Sequence, residues 1–236
     1  MSSEELPTYI IHHSRDVLIQ LFAQDATAAE IGVAEGSFSE RILKYARPKN
    51  LHLIDCWEHQ NREDYLRDGN NVQSDEQKKR FELVSEKFSD EVSKRQVHIH
   101  RAYSTDAAKE FEDAYFDWVY IDAMHTYDSV IKDLRAYYPL VRKDGFIAGH
   151  DYANHPGAVA EGYGVIEAVN EFVKETGSYL LLLTEDGNPS YIIAKQSNSD
   201  ATKRIRALIE AQLKFIKVYN FLSRRFVQEV CYDIKG

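Results

Sequence analysis

Two short segments of this chain combine carboxylates with imidazoles. Asp122 and His125 follow one apolar run of the sequence, and His150 and Asp151 follow another. Two carboxylates and an imidazole can hold a divalent cation, and oxygen-rich sets favour magnesium, calcium or manganese. A cation there could acidify a substrate hydroxyl, and an imidazole titrates near neutral pH, which suits a general base. The pattern predicts Asp122 and His125 as catalytic residues and Asp122, His150 and Asp151 as metal ligands, with a structural role for the histidines as the alternative.

A second group of residues could surround a ligand that carries a ribose. Glycines stand at positions 32 and 36, where the backbone can turn tightly and approach a ligand closely. Ala34 and Ser37 stand where a G-x-G-x-x-G dinucleotide fingerprint has its other glycines, so the loop suits a cofactor without a pyrophosphate. Asp55 ends the next strand and could accept hydrogen bonds from both ribose hydroxyls. An ordinary strand-to-helix turn and a surface carboxylate are the competing interpretations.

Alternating apolar and polar segments predict the elements that position these residues. Strands are predicted over 28–33, 51–55, 97–100, 116–121, 146–148, 179–183 and 190–194, and helices over 39–45, 75–88, 104–111, 127–141 and 164–175. The alternation predicts an α/β fold whose doubly wound, mostly parallel sheet has seven strands and an antiparallel edge strand. In such sheets ligands bind at the carboxyl ends of the strands, which is where the candidate residues stand.

Helical extensions are predicted on both sides of this sheet. Residues 9–23 read as an N-terminal helix, and residues 200–230 read as a long C-terminal helix with an apolar stripe. The stripe could fold back on the domain or join two copies of the chain as a homodimer. The predicted organisation is an extension over 1–27, a cofactor-binding domain over 28–196 and a second extension over 197–236.

Composition and charge narrow the classes of partner. The 236 residues carry 29 basic and 38 acidic side chains, a net charge of −9, and such a chain repels phosphate backbones, so no nucleic-acid partner is expected. No apolar run reaches the length of a membrane span, so no membrane partner is expected. Cys56 and Cys231 fit no metal-binding spacing, and the N-terminus carries no secretory signal segment. A cytoplasmic location with free thiols is predicted.

Several segments carry a resemblance to a known family. The run Glu30-Ile-Gly-Val-Ala-Glu-Gly-Ser-Phe-Ser39 resembles motif I of class I S-adenosylmethionine methyltransferases. Segments 120–134, 144–152 and 164–169 resemble small-molecule O-methyltransferases related to the macrocin-type sugar methyltransferases. The resemblance covers residues 28–195. It implies a Rossmann-like fold and S-adenosylmethionine as cofactor.

The resemblance also implies roles for individual residues. The cofactor would be bound by Glu30, Gly32, Ala34, Gly36, Ser37, Phe38, Asp55, Cys56, Trp57, Tyr103, Ser104 and Asp122. Asp122 and Asp151 match metal-binding positions, whereas His150 stands where relatives often have an acid. His125 falls near the catalytic base, which is an aspartate in some macrocin-type enzymes.

The function predicted from these observations is methyl transfer to a hydroxyl of a sugar, a glycoside or a phenol-like small molecule. Magnesium and His125 would activate the hydroxyl, and the polar segment 58–80 would be a lid that excludes water. One alternative is a metal-independent methyltransferase that uses His125 alone. Another is a nicotinamide-dependent oxidoreductase, which the missing glycines at 34 and 37 oppose. The third is a non-catalytic cofactor-binding protein that dimerises through residues 200–230.

Overall fold

The computed structural model describes residues 6–63, 65–66, 68–222 and 227–229. Its strands are β1 (Thr8–Ile11), β2 (Thr27–Ile31), β3 (Asn50–Asp55), β4 (Val97–Arg101), β5 (Phe116–Ile121), β6 (Val141–Gly149), β7 (Tyr179–Thr184), β8 (Tyr191–Ala194), β9 (Phe215–Tyr219) and β10 (Val227–Glu229). Its helices are α1 (Arg15–Gln20), α2 (Ser37–Tyr45), α3 (Ser74–Lys87), α4 (Ser89–Ser93), α5 (Ser104–Ala107), α6 (Tyr127–Tyr137), α7 (Pro156–Ala160), α8 (Val165–Thr176) and α9 (Asp200–Gln212).

The strands form one mixed sheet in the order β10-β9-β1-β7-β8-β6-β5-β2-β3-β4. Strands β2 to β6 pair in parallel, and β8 runs antiparallel to its neighbours β6 and β7. These strands and β7 make up the seven that the sequence predicts, so the doubly wound α/β fold is confirmed. The sheet is larger than predicted because β1, β9 and β10 extend it beyond β7.

The sheet is buried on both faces by apolar side chains. Along β5, Trp118 and Tyr120 pack into one core, whereas Val119 and Ile121 pack into the other, as alternation along a strand requires. The first core includes apolar residues of α2 and α9, and the second includes those of α6 and α8. Helices therefore cover both faces, and the carboxyl ends of the parallel strands are the edge at which polar groups can meet a ligand.

The predicted N-terminal helix over 9–23 is wrong in its first part, which forms β1. Tyr9 and Ile11 have the high β propensity of aromatic and β-branched residues, and both are fully buried where β1 pairs with β7 and β9. The helix α1 begins only at Arg15. Because β1 is parallel to β7, its carboxyl end lies at the same edge of the sheet as the candidate site, and Arg15 arrives there.

The predicted long helix over 200–230 is also wrong, because α9 ends at Gln212. Leu213 has an extended backbone, and the alternating residues of β9 then pair with β1. Ile205 and Ile209 are fully buried within the chain, so this part of the stripe folds back on the domain, and the homodimer stays a prediction. The part of the prediction that falls on residues 223–226 and 230 lies outside the described residues.

Within the part of the chain that the structure describes, no helix combines the length and the apolar character needed to cross a bilayer. The cytoplasmic location and the absence of a nucleic-acid partner stay predictions.

Candidate active site

The turn between β2 and α2 depends on backbone conformations that glycine adopts most readily. The φ angle is +89° at Gly32 and +73° at Gly36. A Cβ atom added at Gly32 would stand 2.1 Å from the backbone oxygen of Asp122. The glycine therefore lets the loop after β2 pack directly against the end of β5, which places the loop beside the predicted catalytic aspartate.

Asp55, at the end of β3, fixes this loop with its carboxylate. One carboxylate oxygen accepts hydrogen bonds from the backbone N–H groups of Val33 and Ala34, at 2.9 and 3.0 Å. The other accepts from the N–H of Trp57, at 2.8 Å. Asp55 also lines the cavity above the loop. It therefore shapes the loop as well as facing a ligand, and its binding of a ribose stays a prediction.

A cavity of about 350 Å³ opens above the loop, a volume within the usual range for small-molecule sites. Among the residues that line it are the predicted cofactor residues Gly32, Ala34, Asp55, Cys56, Tyr103, Ser104 and Asp122. Gln60, Tyr65 and Asn70 line it as well, so the polar segment predicted as a lid does form part of the wall. Sequence reasoning assigned no individual residue of that segment to the site.

Other predicted cofactor residues support the cavity instead of lining it. Trp57 is 1% exposed, its indole N–H donates to the backbone oxygen of Ala34 at 2.9 Å, and its ring packs against Phe81. The ring of Trp57 is therefore a core anchor in this structure, and its predicted contact with the cofactor stays a prediction. Phe38 packs against Tyr120 and is buried, whereas Ser37 at the start of α2 is exposed. Gly36 shapes the turn and packs close to a buried ring.

Glu30 is buried within β2 and also stands behind the cavity wall. Its carboxyl group accepts a 2.5 Å hydrogen bond from the Ser39 hydroxyl and so connects β2 to α2. Burial raises the pKa of Glu30 from 4.5 to about 8, so this side chain is largely protonated at neutral pH. Glu30 has a structural role in the loop, and its predicted contact with the cofactor stays a prediction.

The pKa of Glu30 leads to a testable effect on stability. Between pH 4.5 and 8 the unfolded chain loses this proton while the folded chain keeps it, so the free energy of unfolding falls as the pH rises. The Glu30→Gln variant should not lose stability in this way. The free energy of unfolding of the variant minus that of the parent should therefore rise by roughly 1 kcal/mol per pH unit in this window. Urea unfolding of both proteins at pH 5, 6, 7 and 8 measures the difference. A difference in free energy of unfolding that is independent of pH would contradict the raised pKa of Glu30.

Asp122 lies at the boundary between the large cavity and a second, small one. Asp122, Ala123 and Met124 line both cavities, and the small one also includes His125, His150 and Asp151. The predicted catalytic and metal residues therefore do come together at one edge of the sheet, as the ends of β5 and β6 require.

Arg15 pairs with the Asp122 carboxylate and was not predicted as part of the site. Its guanidinium donates to Asp122 Oδ2 at 2.6 Å and lies 4.3 Å from the centroid of the Phe38 ring. The two residues are 107 positions apart in sequence. The available signal was a basic residue four positions after the apolar tripeptide that ends at Ile11, and it becomes informative when that tripeptide is recognised as a strand.

The predicted magnesium ligands do not fit a metal site as they are arranged. Arg15 already neutralises Asp122, Asp151 Oδ1 accepts from the Asn188 amide at 2.8 Å, and His150 Nδ1 lies 2.9 Å from the Ser190 hydroxyl. Burial, followed by the charge of Asp122, raises the pKa of Asp151 to about 7. Across the described residues, no three His, Cys, Asp or Glu side chains are grouped so as to hold a metal. No step of the reaction is therefore assigned to magnesium.

His125 has the surroundings of a neutral imidazole. It is 8% exposed, its ring lies 3.8 Å from the ring of Tyr163, and its Nδ1 lies 3.5 Å from the Asp68 carboxylate. Burial lowers the pKa of His125, although Asp68 opposes that shift. An unprotonated imidazole can accept a proton from a hydroxyl that is placed beside it.

A family model described as a methyltransferase domain matches residues 29–152, which is more than half of the chain. The chain belongs to this methyltransferase family. The matched range includes the glycine loop, Asp55, Asp122 and His150, so it covers the residues that line the large cavity and most of those that line the small one. A search of curated protein sequences finds no match. The family opposes the nicotinamide-dependent and the non-catalytic alternatives.

Solved structures show how widely the fold of this methyltransferase is shared. A S-adenosylmethionine-dependent methyltransferase from Aquifex aeolicus is 14% identical with a TM-score of 0.54, over 77% of this chain and 89% of that one. A protein from Staphylococcus aureus, proposed to be a caffeoyl-CoA O-methyltransferase, is 14% identical with a TM-score of 0.51, over 76% of this chain and 80% of that one. Fibrillarin from Aeropyrum pernix, with bound S-adenosylmethionine, is 9% identical with a TM-score of 0.51, over 73% of this chain and 67% of that one.

These identities are low enough that each likeness establishes the fold alone. The family makes this chain a methyltransferase, and its fold is one that it shares with a S-adenosylmethionine-dependent methyltransferase. The resemblance to the macrocin-type subgroup stays a prediction.

Proposed function

We propose that this methyltransferase transfers the methyl group of S-adenosylmethionine to a hydroxyl oxygen of a small polar acceptor, with His125 as general base. The observation that carries the proposal is the arrangement of the two cavities. The large one contains the predicted cofactor residues, the small one contains a buried imidazole, and Asp122, Ala123 and Met124 form the wall that both share. A methyl group presented at that wall would lie between a cofactor and a base.

The reaction needs placement and the removal of one proton. An acceptor oxygen attacks the methyl carbon, the carbon–sulfur bond breaks with its electron pair going to sulfur, and the hydroxyl proton passes to His125. Alignment of the oxygen with the breaking bond supplies a large part of the rate enhancement in such displacements. The carboxylate of Asp55 at the large cavity favours a positively charged sulfonium ligand there.

The acceptor is proposed to be a sugar, a glycoside or a phenol-like molecule. The supporting observations are the net charge of −9, which disfavours polyanionic acceptors, and the polar side chains beside the small cavity. Incubation with S-adenosylmethionine labelled in its methyl group, against panels of sugars, glycosides, catechols, phenols, amines and thiols, tests the proposal. We expect label in hydroxyl acceptors, and label confined to amines or thiols would contradict it.

We assign the activation of the hydroxyl to His125 because the carboxylate that magnesium would require is paired with Arg15. Turnover should therefore stay within about twofold when EDTA is added, since a metal-activated hydroxyl would lose several kcal/mol of transition-state stabilisation. The measurement compares initial rates with EDTA, without additive and with added magnesium. A loss of turnover that magnesium restores would show that the site rearranges to bind the metal.

A further inference from the structure

We propose that Asp68 is a positioning residue for His125, so that the segment lining the cofactor cavity also orients the base. The proposal rests on the proposed role of His125. Asp68 Oδ2 faces His125 Nδ1 at 3.5 Å, and the two side chains are only 9% and 10% exposed. This distance is longer than a normal hydrogen bond. The hydrogen bonds between catalytic groups are often this long before the substrate binds.

The position of Asp68 determines which nitrogen of His125 can act as a base. A carboxylate beside Nδ1 favours the tautomer that carries its proton there, which leaves Nε2 unprotonated. The same carboxylate stabilises the imidazolium that forms once the acceptor hydroxyl has given up its proton. Asp68 therefore supplies both the orientation and the charge that a histidine general base needs, without contacting the substrate itself.

The segment that carries Asp68 is held in place by its own hydrogen bonds. Asn71 accepts from the backbone N–H of Gln60 at 2.8 Å and donates to the backbone oxygens of Gln60 and Tyr65, at 2.9 and 3.0 Å. Gln77 of α3 donates to the backbone oxygen of Asn70 at 2.8 Å. Asp68 accepts from the backbone N–H of Asn70 through its other oxygen, at 2.6 Å. These bonds fix Asp68 within the segment whose neighbouring side chains line the cofactor cavity.

Several other ionisable groups face His125, and together with Asp68 they shift the pKa of its imidazole. Glu161, after α7, and Asp122, at the end of β5, also favour the protonated imidazole, each less than Asp68 does. His150 and Asp151 line the same small cavity, and the Tyr163 ring packs against the imidazole. Removal of the Asp68 charge therefore lowers the pKa of His125 and moves the acid limb of the rate profile to lower pH.

The test compares Asp68→Asn with the parent enzyme on an acceptor found in the screen. We expect kcat to fall about 10- to 100-fold, the range found for carboxylates that orient metal-binding histidines. The acid limb should move to lower pH, and the Kd for S-adenosylmethionine should stay within about threefold. Asp68→Glu, which keeps the charge, should recover part of kcat. Asp75→Asn, an exposed carboxylate in the first turn of α3, should behave like the parent.

Three outcomes separate this inference from the proposed function. An unchanged kcat and pH profile in Asp68→Asn, while His125→Ala is inactive, would overturn the role of Asp68 and leave His125 as the base. Loss of cofactor affinity in Asp68→Asn as large as the loss of kcat would show a purely structural role and would overturn the inference as well. Full turnover by His125→Ala would overturn the proposed function itself.

Discussion

Replacement of His125 by alanine is expected to reduce kcat by a factor of about 10² to 10⁴ while S-adenosylmethionine still binds. The imidazole is 8% exposed and lines the small cavity, whereas the large cavity holds the predicted cofactor residues. The variant should also lose the acid limb of its pH–rate profile, because the group that must be deprotonated is gone. Steady-state rates across pH and calorimetric titration with S-adenosylmethionine measure both effects.

A matched control for this variant is His98→Ala. His98 lies on β4 at the outer edge of the sheet, where it stacks against His52 and lines neither cavity. Its substitution should leave kcat within about threefold of the parent. Equal losses in both variants would attribute the effect of His125→Ala to general damage to the fold, and full turnover by His125→Ala would place the base elsewhere.

Replacement of Asp55 by alanine is expected to have the largest effect on cofactor binding. The variant loses a carboxylate that faces the large cavity and that accepts three backbone hydrogen bonds from the loop residues Val33 and Ala34 and from Trp57. Bonds to a charged acceptor contribute about 1.5–3 kcal/mol each, so both the free energy of unfolding and the affinity should fall, the affinity by about tenfold or more. Urea unfolding without cofactor and calorimetric titration separate the two effects.

Asp55→Asn refines the interpretation of this result. The asparagine side chain keeps one acceptor oxygen, but its NH2 group faces a backbone N–H, and two donors cannot form a hydrogen bond. The loop should therefore be disturbed less than in the alanine variant, which has no acceptor at all. We expect intermediate stability and intermediate affinity. Unchanged affinity for S-adenosylmethionine in Asp55→Ala would mean that this carboxylate does not contact the ribose.

The sequence predicted the parts of the site that follow from the order of strands and helices. Asp55, Asp122 and His150 each stand directly after an apolar run, and parallel strands bring their carboxyl ends to one edge. The topology of the sheet therefore determines which of these residues meet, and local pattern is enough to predict it.

The parts that sequence reasoning missed depend on contacts between distant or aperiodic segments. Arg15 reaches Asp122 because Tyr9 and Ile11 form a strand, and a tripeptide gives too little periodicity to distinguish a strand from a helix. Asp68 lies in a polar stretch whose position depends on hydrogen bonds made by Asn71. The magnesium prediction lacks support for the same reason, because a spacing of carboxylates does not reveal the cation that already pairs with one of them.

Some residue types were ambiguous on physical grounds. An aromatic ring after a strand end can stack on a ligand or fill a core, and the pairing of Trp57 with Phe81 shows that this one fills the core. A carboxylate such as Glu30 can bind a cofactor or accept a bond inside the protein, and the Ser39 hydroxyl nine positions along the chain is its partner.

Transfer from S-adenosylmethionine labelled with ¹³C in its methyl group, followed by NMR of the product, tests the central claim most directly. The parent enzyme and His125→Ala are each incubated with an acceptor from the screen and with EDTA. We expect a methyl ether on an acceptor oxygen with the parent enzyme and almost none with the variant. A labelled methyl on nitrogen or sulfur, or equal amounts of methyl ether from both proteins, would contradict it.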